Sequence, residues 1–149
     1  MAVTVKHISF WRKEAENQPG VLAATLEPFA RTGANLHVLM CYRYPGNEAR
    51  GAVEVYPVAG KKLAALAGGA GLAASAIPCL LVEADNKPGL GHAIAQAISG
   101  AGINLSFLMA QAIGRRCSAV LGFESDTDAK RAAPLVKKAA AGKGGSKRK

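Results

Sequence analysis

The chain has 149 residues, half of them apolar and 19% charged, a balance that belongs to a globular protein and excludes a disordered one. Its apolar stretches stop well short of the ~18–20 residues a membrane span requires, so no membrane partner is expected. The net charge of +9 is concentrated at one end, where Lys137, Lys138, Lys143, Lys147, Arg148 and Lys149 carry six positive charges without an acid among them.

Residues 5–16 read as a first strand, with Ile8 and Phe10 alternating with His7 and Ser9. Asn17-Gln18-Pro19-Gly20 is a turn into a helix, whose stripe is Leu22, Leu26 and Phe29. Gly33 suits a left-handed helix end. Strands follow over 35–43 and 51–56, joined by the turn Tyr44-Pro45-Gly46-Asn47-Glu48. A short helix over 61–67 and a brief strand over 72–77 close the segment.

The pattern then repeats. Cys79 to Ala84 is a strand, and Leu90, Ile94 and Ile98 mark a helix closed by Gly100-Ala101-Gly102. Residues 104–112 and 118–123 are strands joined at Gly114-Arg115-Arg116, and Ser125 and Asp126 start a last helix. Pro134 is placed to kink or split that helix. No strand pattern follows it. An offset of 69 carries Asn17 onto Asn86, and residues 17–40 and 86–109 share nine of twenty-four positions.

A repeat of this kind sets the architecture. The order β-α-β-β-α-β, twice, is the ferredoxin-like arrangement. The expected fold is α+β, with two antiparallel sheets carrying helices on one face. Domain 1 spans residues 3–73 and domain 2 spans 74–137. Residues 138–149 form a basic, disordered tail. Modules of roughly 70 residues bury little surface alone and are expected to pair, including in a homodimer.

In both copies the turn between first strand and first helix is the place for a small ligand. Gly20 and Gly89 let a ligand approach the backbone. The first-turn N–H groups and the helix dipole favour a carboxylate. Asn17 and Asn86 add donors and an acceptor. An Asn-x-Pro-Gly turn is equally an ordinary helix start.

Asn17-Gln18-Pro19-Gly20-Val21-Leu22 with Gly33-Ala34-Asn35-Leu36 resembles the ACT domain family, the amino-acid-sensing module of many biosynthetic enzymes. Asn86-Lys87-Pro88-Gly89-Leu90 with Gly102-Ile103-Asn104-Leu105 resembles it equally. The likeness covers roughly residues 6–137. It implies a regulatory binding protein without catalysis, holding an amino acid or related metabolite between paired modules and signalling to a partner protein or through oligomerisation. Ligand contacts would come from Asn17, Gln18, Pro19, Gly20, Val21 and Leu22 with Asn35 and Leu36. In the second copy they would come from Asn86, Lys87, Pro88, Gly89, Leu90 and His92 with Asn104 and Leu105. Ala15 and Ala84 stand where serine-sensing members carry a histidine. The alternative is therefore a structural or assembly module that has lost ligand binding.

No cofactor, metal or catalytic set is expected, since His7, His37 and His92 lack metal-ligand spacing. Cys41, Cys79 and Cys117 read as small buried apolar residues, and Trp11 as a core or interface anchor. An RNA-binding RRM shares the element order, but Ala52 and Glu54 occupy the places of its stacking aromatics, so nucleic acid is not an expected partner. The start of the chain lacks a basic stretch followed by an apolar core, and a cytoplasmic location is expected.

Overall fold

A computed structural model describes residues 3–142. The elements in order are β1 (Thr4–Ile8), β2 (Trp11–Glu16), α1 (Val21–Arg31), β3 (Val38–Tyr44), β4 (Asn47–Tyr56), α2 (Lys61–Gly69) and β5 (Ala73–Ala74). They continue with β6 (Cys79–Asp85), α3 (Leu90–Gly100), β7 (Leu105–Ile113), β8 (Arg116–Phe123) and α4 (Asp126–Ala141). Among the described residues the architecture is α+β, with two four-stranded antiparallel sheets and four helices.

The chain divides into two compact units. One is contiguous, Ser9–Ala76. The other is discontinuous and joins the residues up to Ile8 with those from Ile77 onward. In the contiguous unit the strand order is β3-β4-β2-β5. Val53 and Val55 of β4 pack with Phe29 of α1 and Ala67 of α2, and Trp11, Leu22 and Leu36 lie against this core partly buried. In the discontinuous unit the order is β1-β6-β8-β7. Leu80, Val82, Leu121 and Phe123 from the sheet meet Leu90, Ile94 and Ile98 of α3 and Ala129, Ala132 and Val136 of α4.

The strand expected over 5–16 is two strands in two sheets. β1 runs antiparallel to β6, with Thr4 opposite Glu83 and Ile8 opposite Cys79. β2 pairs with β4 and β5. The reason lies in the second copy, which has no strand after α4 among the described residues. Cys79, Leu80, Leu81 and Val82 of β6 are all buried, so β6 lies inside its sheet and needs a neighbour on each side. β1 takes beside β6 the place that β5 takes beside β2. Residues 3–8 consequently belong with the second half rather than with 9–73.

α4 also runs further than the sequence pattern implies. Ala129, Ala132, Val136 and Ala140 form one buried stripe at helical spacing, which keeps residues 138–141 helical instead of in a disordered tail. Pro134 is exposed and inside this single helix. The remainder of the basic tail, 143–149, lies outside the described residues. Of the three cysteines only Cys79 is buried; Cys41, on the edge strand β3, is exposed, and Cys117 is intermediate.

Deleting residues 1–8 strips the outer neighbour from β6. Amide exchange in Cys79–Glu83 should then accelerate strongly, while Lys13–Ala15 of β2 keep their protection. Hydrogen exchange read by mass spectrometry checks this.

Candidate functional site

β2 ends at Glu16 and the chain turns through Asn17–Gly20 into α1. Gly20 sits at φ 90° as the helix N-cap, a backbone conformation that L side chains adopt at a cost. Gly89 repeats it at φ 82° before α3. Neither helix has a side-chain cap or an acid in its first turn. Their N-terminal dipoles are therefore uncompensated by any side chain of the helix itself.

Beside the first turn lies a cleft of about 320 Å³. The end of β2 lines it with Ala15 and Glu16, the loop with Asn17 and Gln18, and α1 with Val21 and Leu22. Its far wall is Cys41, Tyr42 and Arg43 of β3 with Gly51, Ala52 and Val53 of β4. Of the residues singled out in the first copy, Asn17, Gln18, Val21 and Leu22 are brought together here. Pro19 and Gly20 form the turn without lining the cleft. Asn35 is exposed outside it, and Leu36 packs against the core.

Two donors of Asn17 are already in use. Its backbone N–H donates to the Ala49 carbonyl and its Nδ2 to the Glu48 carbonyl, both at 2.8 Å. These bonds tie the loop to the β3–β4 hairpin and use one of the two Nδ2 hydrogens.

The second copy is built differently. Its cleft of about 160 Å³ lies away from the motif, lined by Glu83, Ile113, Arg116, Cys117 and Ser118, and by none of the motif residues. Leu90 is 5% exposed and belongs to the core, as Leu105 partly does. Arg116 holds Asp85 at 3.0 Å, and the Lys87 ammonium donates to the Gly142 carbonyl at the end of α4. Asn86 donates its backbone N–H to Arg115, and Asn104 donates its Nδ2 to Glu124 at 3.3 Å. Pro88, Gly89 and His92 are exposed.

One substitution between the copies accounts for much of this difference. Gly51 faces Ala15 across β2–β4, whereas Cys117 faces Ala84 across β6–β8. The repeat offset thus drops from 69 to 66 at the hairpin. Cys117 packs partly buried against its core. At Gly51 no side chain occupies that position, and a Cβ there would sit 2.5 Å from the Tyr42 carbonyl oxygen. The first hairpin is three residues longer, with a register shift at Arg43/Tyr44. The β3 and β4 wall residues were not identified from the motif; the interruption of the repeat between 47 and 51 is the signal that points to them.

The other face of the same sheet carries a polar cluster. Glu54 is 1% exposed, and the Tyr42 hydroxyl donates to its Oε2 at 2.9 Å. Burial, followed by the Glu54 hydrogen bond, pushes the Tyr42 hydroxyl pKa up. Arg12 donates to the Tyr44 hydroxyl and to Glu14 Oε1 at 3.2 Å, and lies 5.8 Å from the Tyr44 ring centre. Burial opposes the Arg12 charge, but hydrogen bonding to Glu14 and Tyr42 outweighs it and raises the pKa. The Arg12 bond in turn depresses the Glu14 carboxyl. Among the described residues no group of three His, Cys, Asp or Glu is placed to hold a metal ion.

No protein-family model matches the chain, and no curated protein matches its sequence. Solved structures do match. A protein of Bacteroides thetaiotaomicron superposes with a TM-score of 0.71 at 16% identity, over 90% of this chain and 89% of the other. The ligand-free regulatory subunit of aspartate kinase from Thermus thermophilus gives 0.61 at 20%, over 93% and 97%. The corresponding subunit from Thermus flavus gives 0.58 at 17%, again over 93% and 97%. At these identities the likeness shows the fold, and that fold is of the ACT type. The two Thermus chains are regulatory subunits of aspartate kinase. Among the described residues no helix is long and apolar enough to cross a membrane.

The Asp85 carboxyl is held below its ordinary pKa by its hydrogen bond from Arg116. A depressed carboxylate stabilises the fold above its unfolded pKa, and that contribution is lost as pH falls through the lower folded value. Arg116→Met should raise the Asp85 midpoint and narrow this acid-side window. A carboxyl NMR titration of both proteins checks it.

Proposed function

We propose that the chain is a regulatory amino-acid-binding protein without catalytic activity, and that its ligand lies in the cleft beside Asn17. The observation that carries this reading is the coincidence of the cleft with the Asn17–Leu22 motif. A volume near 320 Å³ lies at the small end of ligand pockets. The groups around it suit a zwitterion. The uncapped start of α1 attracts a carboxylate. Glu16, across the turn, attracts an ammonium. The packed Leu90 and Cys117 argue that the second copy serves structure rather than binding.

Pairing of two chains fits the same picture. Leu39, Tyr42, Leu108 and Ile113 are exposed at 41% or more, and all lie on the edge strands β3 and β7. Apolar edge strands of this kind favour association with another chain. A homodimer joined there would cover the wall of the cleft, so that occupancy and assembly influence each other. A ligand shifts such an equilibrium by its differential affinity for the two states. The output is then a change in oligomeric state or in the hold on a regulated partner protein, in the cytoplasm. The structural likeness to aspartate kinase regulatory subunits supports a regulatory role.

Ala15 lines the cleft in place of a polar side chain, which favours a ligand other than serine. A thermal-shift series over the amino acids tests the reading. A ligand at about 100 times its dissociation constant should add about 2.7 kcal/mol. Val21→Phe, which fills the cleft, should abolish the shift, and Glu83→Gln should leave it intact. No shift with any amino acid would favour the assembly-module reading instead.

A further inference from the structure

The face of the contiguous unit's sheet opposite its helices holds a side-chain network that the second copy lacks. Tyr42 reaches Glu54 on β4, and Tyr44 is held by Arg12 from β2. The two tyrosine rings lie 6.2 Å apart. Side chains thus cross from β2 over β4 to the edge strand β3. In the second copy the register places Leu81 opposite Val120, where Arg12 stands opposite Glu54. Gln111 and Ile113 take the places of Tyr42 and Tyr44.

An apolar pair is the simpler way to fill such positions. Buried charged groups seldom stabilise a fold more than apolar residues of similar size. Here the cost is visible, since Glu54 Oε1 and Arg12 Nε are buried without a hydrogen-bond partner. Stability therefore does not explain why the first copy carries the network. Position does. β3 has a strand neighbour on one side only, and its ladder shifts register at Arg43/Tyr44. The stretch Cys41–Arg43 next to that irregularity is one wall of the cleft.

We infer that Arg12, Tyr42, Tyr44 and Glu54 are positioning residues that fix the β3 wall of the cleft, next to the point where the backbone ladder shifts register. The inference rests on the cleft being the ligand site. Arg12, Tyr44 and Glu54 do not line the cleft and act on the ligand through the wall strand, to which Tyr42, itself a wall residue, joins Glu54. Copying the second copy's solution into the first should leave the fold stable but loosen the wall.

The test uses the full chain. In the double variant Arg12→Leu/Glu54→Val the melting temperature should hold or rise. Hydrogen exchange of the β3 amides between Met40 and Arg43 should quicken about tenfold, as expected for losing one or two buried hydrogen bonds. Exchange in β7 should not change. Tyr42→Phe, which removes a single hydroxyl, should give the same effect in smaller measure and serves if the double variant does not fold. Unchanged β3 exchange in a folded variant overturns the inference. Titration with whichever amino acid shifts the wild type should show an affinity about tenfold weaker in the variants, and an unchanged affinity also overturns it. If no amino acid binds the wild type, the functional reading fails by itself, and the exchange measurement still decides whether the network holds the strand.

Discussion

A strand buried on both faces cannot be left with an open edge. Its apolar side chains fix it inside a sheet, and inside a sheet every N–H and C=O must find a partner. β6 is such a strand, and among the described residues the chain that follows it adds only β7 and β8, which makes three of the four strands of its sheet. The fourth comes from the first residues described. This one requirement sends β1 away from β2, makes one unit discontinuous and leaves Ser9–Ala76 as a contiguous piece between its two parts.

Much of this was legible in the sequence. The two helices at the Asn-x-Pro-Gly turns fall at the same offset as the motif, because an apolar stripe and a turn are local signals. That no final strand follows α4 among the described residues was also visible, as an absent strand pattern. Its replacement was not, since Ile8 and Phe10 alternate as well in one continuous strand as in two, and no local pattern says which sheet a strand will join. The end of α4 was missed for a related reason. Lys137 and Lys138 look like the start of a polar tail, but Val136 and Ala140 on the neighbouring positions of the helix stay buried.

The candidate site was half legible. Its motif side could be read from Asn17 to Leu22. Its other wall comes from β3 and β4, and the sequence marks it only through what breaks the repeat. Gly51 is the clearest case. Composition alone makes it one of seventeen glycines, yet in the sheet it is where β3 comes closer than a Cβ would allow. At this position the second copy packs Cys117 against its core, and the first has a glycine that the β3 backbone closes upon. The exposed motif residues of the second copy, Pro88 and Gly89 among them, retain the turn after the space beside it has gone. The motif therefore records how the chain enters a helix, and the cleft depends on residues outside it.

The borrowed strand also bears on the order in which the chain can acquire structure during its synthesis. β1 leaves the ribosome before β2, but its partner β6 is made only after all of Ser9–Ala76. The contiguous unit can close while the other is still a single unpaired strand. Long-range pairings of this kind are slow to form and leave strand edges open in the meantime. Lys6 in the middle of β1 is exposed, and a charge at such a place discourages pairing with the wrong chain. The unit with the more completely packed core is thus the last to be completed, and the one carrying the cleft is the first.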